Sequence, residues 1–242
     1  GLTKYFPNKK SVIINVDNYS PDGTREAFLR SKSKIPLIYA SSSPGKKGKG
    51  LNFYNLFSLF KELEGKAGLV VDADLRNIRP TWVKKMIEPI QSGYSYIAPF
   101  YSRKKDDATI TNNIVFPLFY GLLGSDIRQP IGGEFSFSGK MVDIWLEKKW
   151  AENTYQFGID VFMSLNAILS GEKIGQINLG KKVHKSSTPN LGPMFIQVVE
   201  TLFEGLKDNL DKIKEIEEIR EFPILNSKKS IWLRNLIPDY SH

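Results

Sequence analysis

Along the first hundred residues the apolar positions switch between two periods. SVIINVDN (11–18) has an apolar core from Val12 to Val16 that ends in Asp17, and IPLIYAS (35–41) is a second short apolar run, so both read as strands. Between them PDGTREAFLRS reads as a turn and a helix opening near Thr24. LNFYNLFSLFKEL (51–63) has apolar residues at helical spacing, AGLVVDAD is a third strand, TWVKKMIEPIQSG a further helix and YSYIAPFYS (94–102) a fourth strand. Strands alternating with helices in this way predict an α/β layer whose sheet is mainly parallel and flanked by helices. In open sheets of that kind, ligands sit at the carboxyl ends of the strands.

The second half is less regular. It predicts a helix over about 112–124, a glycine-rich segment RQPIGGEFSFS (128–138), a helix over about 140–150, another within YQFGIDVFMSLNAILSG (155–171), and a strand in INLGKKVHKSS (177–187) with a basic exit. From Pro193 to about Ile219 apolar residues recur at helical spacing: Val198, Leu202, Phe203, Leu206, Leu210, Ile213 and Ile216. Such a stripe packs on the domain or pairs with a partner helix, and packing is the first expectation. No repeat or low-complexity linker divides the chain. The organisation expected is one domain over 1–192 with a C-terminal helical extension, 193–242, packed on it and offering a surface for a homodimer.

Composition narrows the class only slightly. The chain has 242 residues, 41% hydrophobic and 25% charged, with no apolar run near the roughly 20 residues that cross a bilayer. No stable membrane insertion is expected, and no signal-peptide pattern is present. The absence of cysteine excludes disulfides and thiolate metal sites, and makes the cytoplasm the expected location. A net charge of +8 favours anionic partners: nucleic acid, an anionic surface, or phosphorylated and carboxylated small molecules. GLTKYFPNKK reads as the end of a helix and a loop, so the first strand is expected upstream of it.

The chemistry-bearing residues fall at strand ends. In VVDADLRN, Asp72 and Asp74 are two apart, which places both carboxylates on one side of an extended chain. Like charges that close need a cation between them, and Mg²⁺ commonly takes one or two carboxylates and completes its shell with water and substrate phosphates. By itself a D-x-D triplet is more often a solvated turn. His184, after the last strand, is a candidate third ligand that would make Mn²⁺ as acceptable, or else an exposed histidine among Lys181, Lys182 and Lys185. The loop SPGKKGKG combines backbone that can approach a phosphate with flexible positive charge, though it lacks the Walker sequence and alone reads as a flexible turn. Arg103 with Thr109, Thr111 and the pair Asn112-Asn113 offers a carboxylate or phosphate clamp, or else a polar helix cap. Asp160 is an acid in apolar surroundings: a base, a sugar-hydroxyl acceptor or a helix cap.

Taken in order, NVDNYSPDGT, GKKGKG, VVDADLRN, QPIGGEFSFS, FGIDVFM and the histidine after a strand resemble a GT-A glycosyltransferase over about residues 11–200. SRKKDDATITNN resembles the acceptor segment of the retaining mannosylglycerate and glucosyl-3-phosphoglycerate synthases. The resemblance implies a Rossmann-like GT-A fold that moves a hexose from a UDP- or GDP-sugar to a small anionic acceptor such as glycerate or 3-phosphoglycerate, probing no nucleic acid. It implies a metal, Mg²⁺ or Mn²⁺, on Asp72, Asp74 and His184. Donor contacts fall to Asp17, Lys49, Asp72, Gly133 and Glu134, and acceptor contacts to Arg103, Thr111 and Asn112. Asp74, Asp160 and Glu134 are the implied catalytic positions. The family opens with a strand and a proline-tyrosine loop that hold the donor base, and nothing in this chain matches them. Two rival readings stay open: an inverting GT-A enzyme acting on a polysaccharide or glycolipid with Glu134 or Asp160 as base, and a non-catalytic basic module for RNA or another anion. A nucleotidyltransferase would show a glycine-rich signature loop after its first strand, which this chain does not display.

Overall fold

A computed structural model describes residues 1–102, 108–184 and 191–226. A short helix α1 (Leu2–Tyr5) precedes β1 (Ile13–Asp17), α2 (Thr24–Leu29) and β2 (Leu37–Ser41). These are followed by α3 (Lys49–Glu62), β3 (Ala67–Val70), α4 (Pro80–Gln91) and β4 (Tyr96–Ser102). After a π-helical turn over Thr111–Val115 come α5 (Phe116–Leu123), β5 (Phe135–Ser138) and α6 (Gly139–Glu147). A 3₁₀ turn (Glu152–Tyr155) leads to α7 (Ile159–Leu169), β6 (Ile174–Lys181), α8 (Leu191–Asp208) and α9 (Leu210–Lys214).

β1 and β2 pair in parallel, Ile13 opposite Leu37 through Asp17 opposite Ser41. The larger sheet has the order β3-β5-β4-β6. β4 and β6 are parallel, and β5 is antiparallel to both β3 and β4. So β3, β4 and β6 run one way, and their carboxyl ends share an edge. That is the edge at which Asp72 and Lys182 emerge.

Differences from the sequence reading have local causes. β5 hides inside the glycine-rich segment because its serine as well as its phenylalanines is buried, which removes the alternation that would announce a strand: Ser136 is buried and donates to Met86 O at 2.7 Å. The helix expected over 112–124 begins as a π turn, and Pro117 stands at the start of α5 with no N–H to return to the preceding turn. Gly124, at φ 56°, then ends α5 in the left-handed conformation that glycine adopts most readily.

The core is aromatic. Trp145 is fully buried, stacks on Phe57 at 5.0 Å and meets Tyr96 and Phe137 edge-on. Its Nε1 donates to Met163 O at 3.0 Å, so its polar atom is satisfied inside. Val198, Leu202 and Leu206 of α8 are buried in the same core. The apolar stripe is only partly covered: Phe203 and Leu210 are about half exposed. Beyond α9 the chain returns to the sheet edge. Gln176 N donates to Pro223 O at 2.8 Å and Leu225 N to Gln176 O at 3.0 Å, so residues 223–225 lie along β6. No described helix is long and apolar enough to cross a membrane.

Candidate active site at the strand ends

Lys49 is aimed by two glycines. α3 begins at Lys49 rather than at Leu51, and Gly50 N donates to Gln156 O at 2.9 Å. A Cβ on Gly50 would stand 1.8 Å from Thr154 O and one on Gly48 2.1 Å from Tyr155 O. The glycines of the basic loop therefore serve a close approach of two backbones. That approach places Lys49 Nζ 2.9 Å from Asp160 Oδ2, in the first turn of α7, and 3.5 Å from Asp72 Oδ1.

Asp72, just past β3, meets a second ammonium at its other oxygen: Lys182 Nζ lies 3.1 Å from Oδ2. Lys182 also donates to Gly132 O at 2.8 Å and Glu134 Oε2 at 2.9 Å, and Tyr101 OH donates to that same oxygen at 2.6 Å. Gly133, at φ 91°, passes so close that a Cβ would stand 2.3 Å from Asp72 Oδ2. Five of the expected residues thus converge: Lys49, Asp72, Gly133, Glu134 and Asp160.

The electrostatics follow from burial and pairing. Burial alone would raise the Asp72 carboxyl, but Lys49 and Lys182 outweigh it and hold it below the usual carboxylate range. Burial raises Asp160 and Glu134 despite their lysine partners. Burial alone would lower Lys49, but Asp160 and Asp72 raise it well above the usual lysine value. Two carboxylate oxygens, Glu134 Oε1 and Asp160 Oδ1, are buried without a hydrogen-bond partner. They are acceptors waiting for a donor or a cation.

Asp74 is exposed in the turn after β3, and His184 is half-buried beyond β6. Asn77 ties their two segments together: its Nδ2 donates to Lys181 O at 2.6 Å and its Oδ1 accepts from Val183 N at 3.0 Å. Arg76 N adds a bond to Val183 O at 2.8 Å. Among the described residues no three acidic or histidine side chains close to metal-ligand spacing. The donor chemistry nevertheless fits a hard divalent cation held by carboxylates, with the rest of its shell drawn from a ligand's phosphates and water, and Glu134 and Asp160, the acids that share the lysines of Asp72, each keep one unpartnered oxygen.

The remaining expected residues divide. Asp17, at the end of β1, turns inward: it accepts from Ser20 N and Ser20 Oγ at 2.7 Å each and from Tyr39 OH at 2.6 Å. Thr111 is buried at the start of the π turn, with the half-buried Asn112 beside it. Arg103 lies outside the described residues. Lys182 and Tyr101 were not singled out by the sequence; a lysine in a KK pair reads as solvated. The one available signal is spacing, since Lys182 precedes His184 by two residues, as Asp72 precedes Asp74.

No family model matches the chain. Mannosylglycerate synthase of Rhodothermus marinus is 28% identical over 163 residues, 66% of this chain and 41% of that protein. The chain thus spans well under half the length of this curated relative. Glucosyl-3-phosphoglycerate synthase of Mycobacterium tuberculosis, solved with Mn²⁺, UDP and phosphoglyceric acid, superposes with a TM-score of 0.64 at 23% identity, over 79% of this chain and 66% of that one. The same enzyme solved with Mn²⁺, UDP-glucose and phosphoglyceric acid gives a TM-score of 0.65 at 22% identity, over 80% and 68%. A further mycobacterial protein gives 0.64 at 25% identity, over 79% and 63%. The chain therefore has the GT-A fold, and the resemblance read from its motifs, to mannosylglycerate and glucosyl-3-phosphoglycerate synthases, holds in sequence and in structure.

Proposed function

We propose that this chain carries the catalytic region of a glycosyltransferase that moves a hexose from a nucleotide-diphosphate sugar, UDP- or GDP-linked, to a small acidic acceptor such as glycerate or 3-phosphoglycerate. The observation that carries the reading is the joining of Asp72, Lys49 and Asp160 at the strand ends of a GT-A fold. A divalent cation, Mg²⁺ or Mn²⁺, on Asp72 and Asp74 with His184 would supply Lewis-acid stabilisation of the departing diphosphate.

The chain's own groups do the rest. Lys49 offers a fixed positive charge to the diphosphate as negative charge builds on it. Asp160 and Glu134 each keep one oxygen against an ammonium and leave the other to accept a sugar hydroxyl. Arg103, Thr111 and Asn112 clamp the acceptor's anionic group, which turns an encounter into a positioned reaction. Because both buried acids are already held by lysines, neither is a free nucleophile. No covalent glycosyl-enzyme is therefore proposed; the resemblance to the retaining synthases supports a same-face substitution, in which the leaving phosphate helps take the acceptor's proton. Its setting is the cytoplasm, and the half-exposed Phe203 and Leu210 suit a homodimer contact.

The test is nucleotide-diphosphate release with Mg²⁺ or Mn²⁺, crossing UDP-glucose, GDP-glucose and GDP-mannose with D-glycerate and 3-phosphoglycerate. Release that requires one acceptor and is lost in Asp74→Ala names the reaction. Turnover undiminished in Asp74→Ala would sink the metal assignment, and release indifferent to acceptor would remove the glycerate reading.

A further inference from the structure

Lys182 is placed as a buried cation inside the site. Its side chain is 5% exposed, and its three N–H bonds are taken by Asp72 Oδ2, Gly132 O and Glu134 Oε2. With Lys49 on Oδ1, Asp72 carries an ammonium at each oxygen. Gly133 makes this possible, since a Cβ there would stand 2.9 Å from Lys182 Nζ as well as against Asp72.

We propose that Lys182 is a positioning residue that fixes Asp72 in the absence of metal and holds the site's affinity for a free divalent cation low, so that the cation enters together with the donor's diphosphate. The inference rests on the function proposed above. A divalent cation approaching Asp72 meets an ammonium at each carboxylate oxygen, Lys49 shared with Asp160 and Lys182 shared with Glu134, and like charges so close repel. Lys182 is held there by Gly132 O and Glu134 Oε2, with its side chain buried. A diphosphate reverses the balance: its negative charges are attracted by both ammoniums and in turn attract the cation. Metal and nucleotide affinities are then linked, each raising the other by the same factor.

The test is Mn²⁺ binding by the whole chain, followed by the EPR signal of the free aqueous ion with and without UDP. The wild type is expected to bind Mn²⁺ weakly alone and at least about tenfold more tightly with UDP. Removing one positive charge next to a dication corresponds to about tenfold even at a water-like dielectric. Lys182→Met should therefore bind Mn²⁺ alone about tenfold more tightly and lose most of the UDP enhancement, while Lys182→Arg keeps the wild-type pattern. Lys182→Gln, which retains a donor for Asp72 without the charge, repeats the measurement should the methionine variant fail to fold. Charge-removed variants that bind Mn²⁺ within twofold of the wild type, with UDP enhancement intact, overturn the inference and leave the proposed function standing. Wild-type Mn²⁺ binding as tight without UDP as with it overturns it without any variant. No Mn²⁺ binding to the wild type even with UDP overturns both readings.

Discussion

Lys49 and Asp160 are 111 positions apart in the chain, and their Nζ and Oδ2 atoms lie 2.9 Å apart. The pair joins the start of α3 to the start of α7, and Asp72, just past β3, completes it. Lys49→Met leaves Asp160 without its donor in a buried site. We expect turnover to fall by several hundredfold and stability by about 2 kcal/mol, read by steady-state kinetics and urea denaturation. Lys49→Arg should recover stability more fully than turnover, because the guanidinium keeps the charge but not the point geometry.

Two glycines of the basic loop separate packing from backbone conformation. Gly50→Ala drives a methyl into Thr154 O, and backbone on both sides cannot give way. The expected loss is about 3 kcal/mol, with turnover falling as Lys49 is displaced. Gly45 has φ 81° and nothing within 4 Å of an added Cβ, so Gly45→Ala should cost only about 1 kcal/mol and leave kcat unchanged. Equal losses in the two variants, measured by urea denaturation, would contradict this account.

Asn77 joins the turn that bears Asp74 to the strand exit that bears His184. Asn77→Ala removes both side-chain bonds at a half-buried position, so the stability loss should stay near about 1 kcal/mol. Its effect should fall on the donor instead: a severalfold rise in donor KM, reduced by raising Mn²⁺. An unchanged donor KM would mean that the two segments hold their places without it.

Asp17 and Tyr39 predict behaviour at both ends of the pH scale. Burial alone would raise Asp17, but the bonds from Ser20 and Tyr39 outweigh it and lower its carboxyl. Its contribution to stability is present above the ordinary carboxylate pKa and lost as pH falls through the lowered value. Tyr39 moves the other way: the bond to Asp17 raises its phenol to about 12, so its contribution is full below the ordinary tyrosine pKa near 10 and lost as pH rises through about 12. Absorbance at 295 nm should show a phenol titrating late in the wild type and returning toward about 10 in Asp17→Asn.

The early strands and helices were legible because local periodicity alone specifies them: Ile13–Asp17, Leu37–Ser41 and Tyr96–Ser102 each carry a short apolar run. Asp72 and Asp160 were legible for another reason, as acids set against apolar residues. Lys182 was not. What buries it are partners 48 and 110 positions away, and no local pattern encodes a lysine's distant acceptors. The role of Gly48 and Gly50 was missed in the same way, since the carbonyls they approach belong to a turn about a hundred residues later. The stripe after Pro193 misled in part: helical spacing locates a face, and Phe203 lies at its margin, where the core no longer reaches.

Residues 223–225 lie along β6, the outer strand of the larger sheet, and Gln176 anchors them through backbone bonds and through its side chain to Phe222 O at 2.9 Å. The cover follows the strand in sequence, and a chain that ended before Phe222 would leave Gln176 without these backbone partners. An outer strand in that state is a template for aggregation. Truncation before Phe222 should therefore yield inclusion bodies even where every residue of the site is intact.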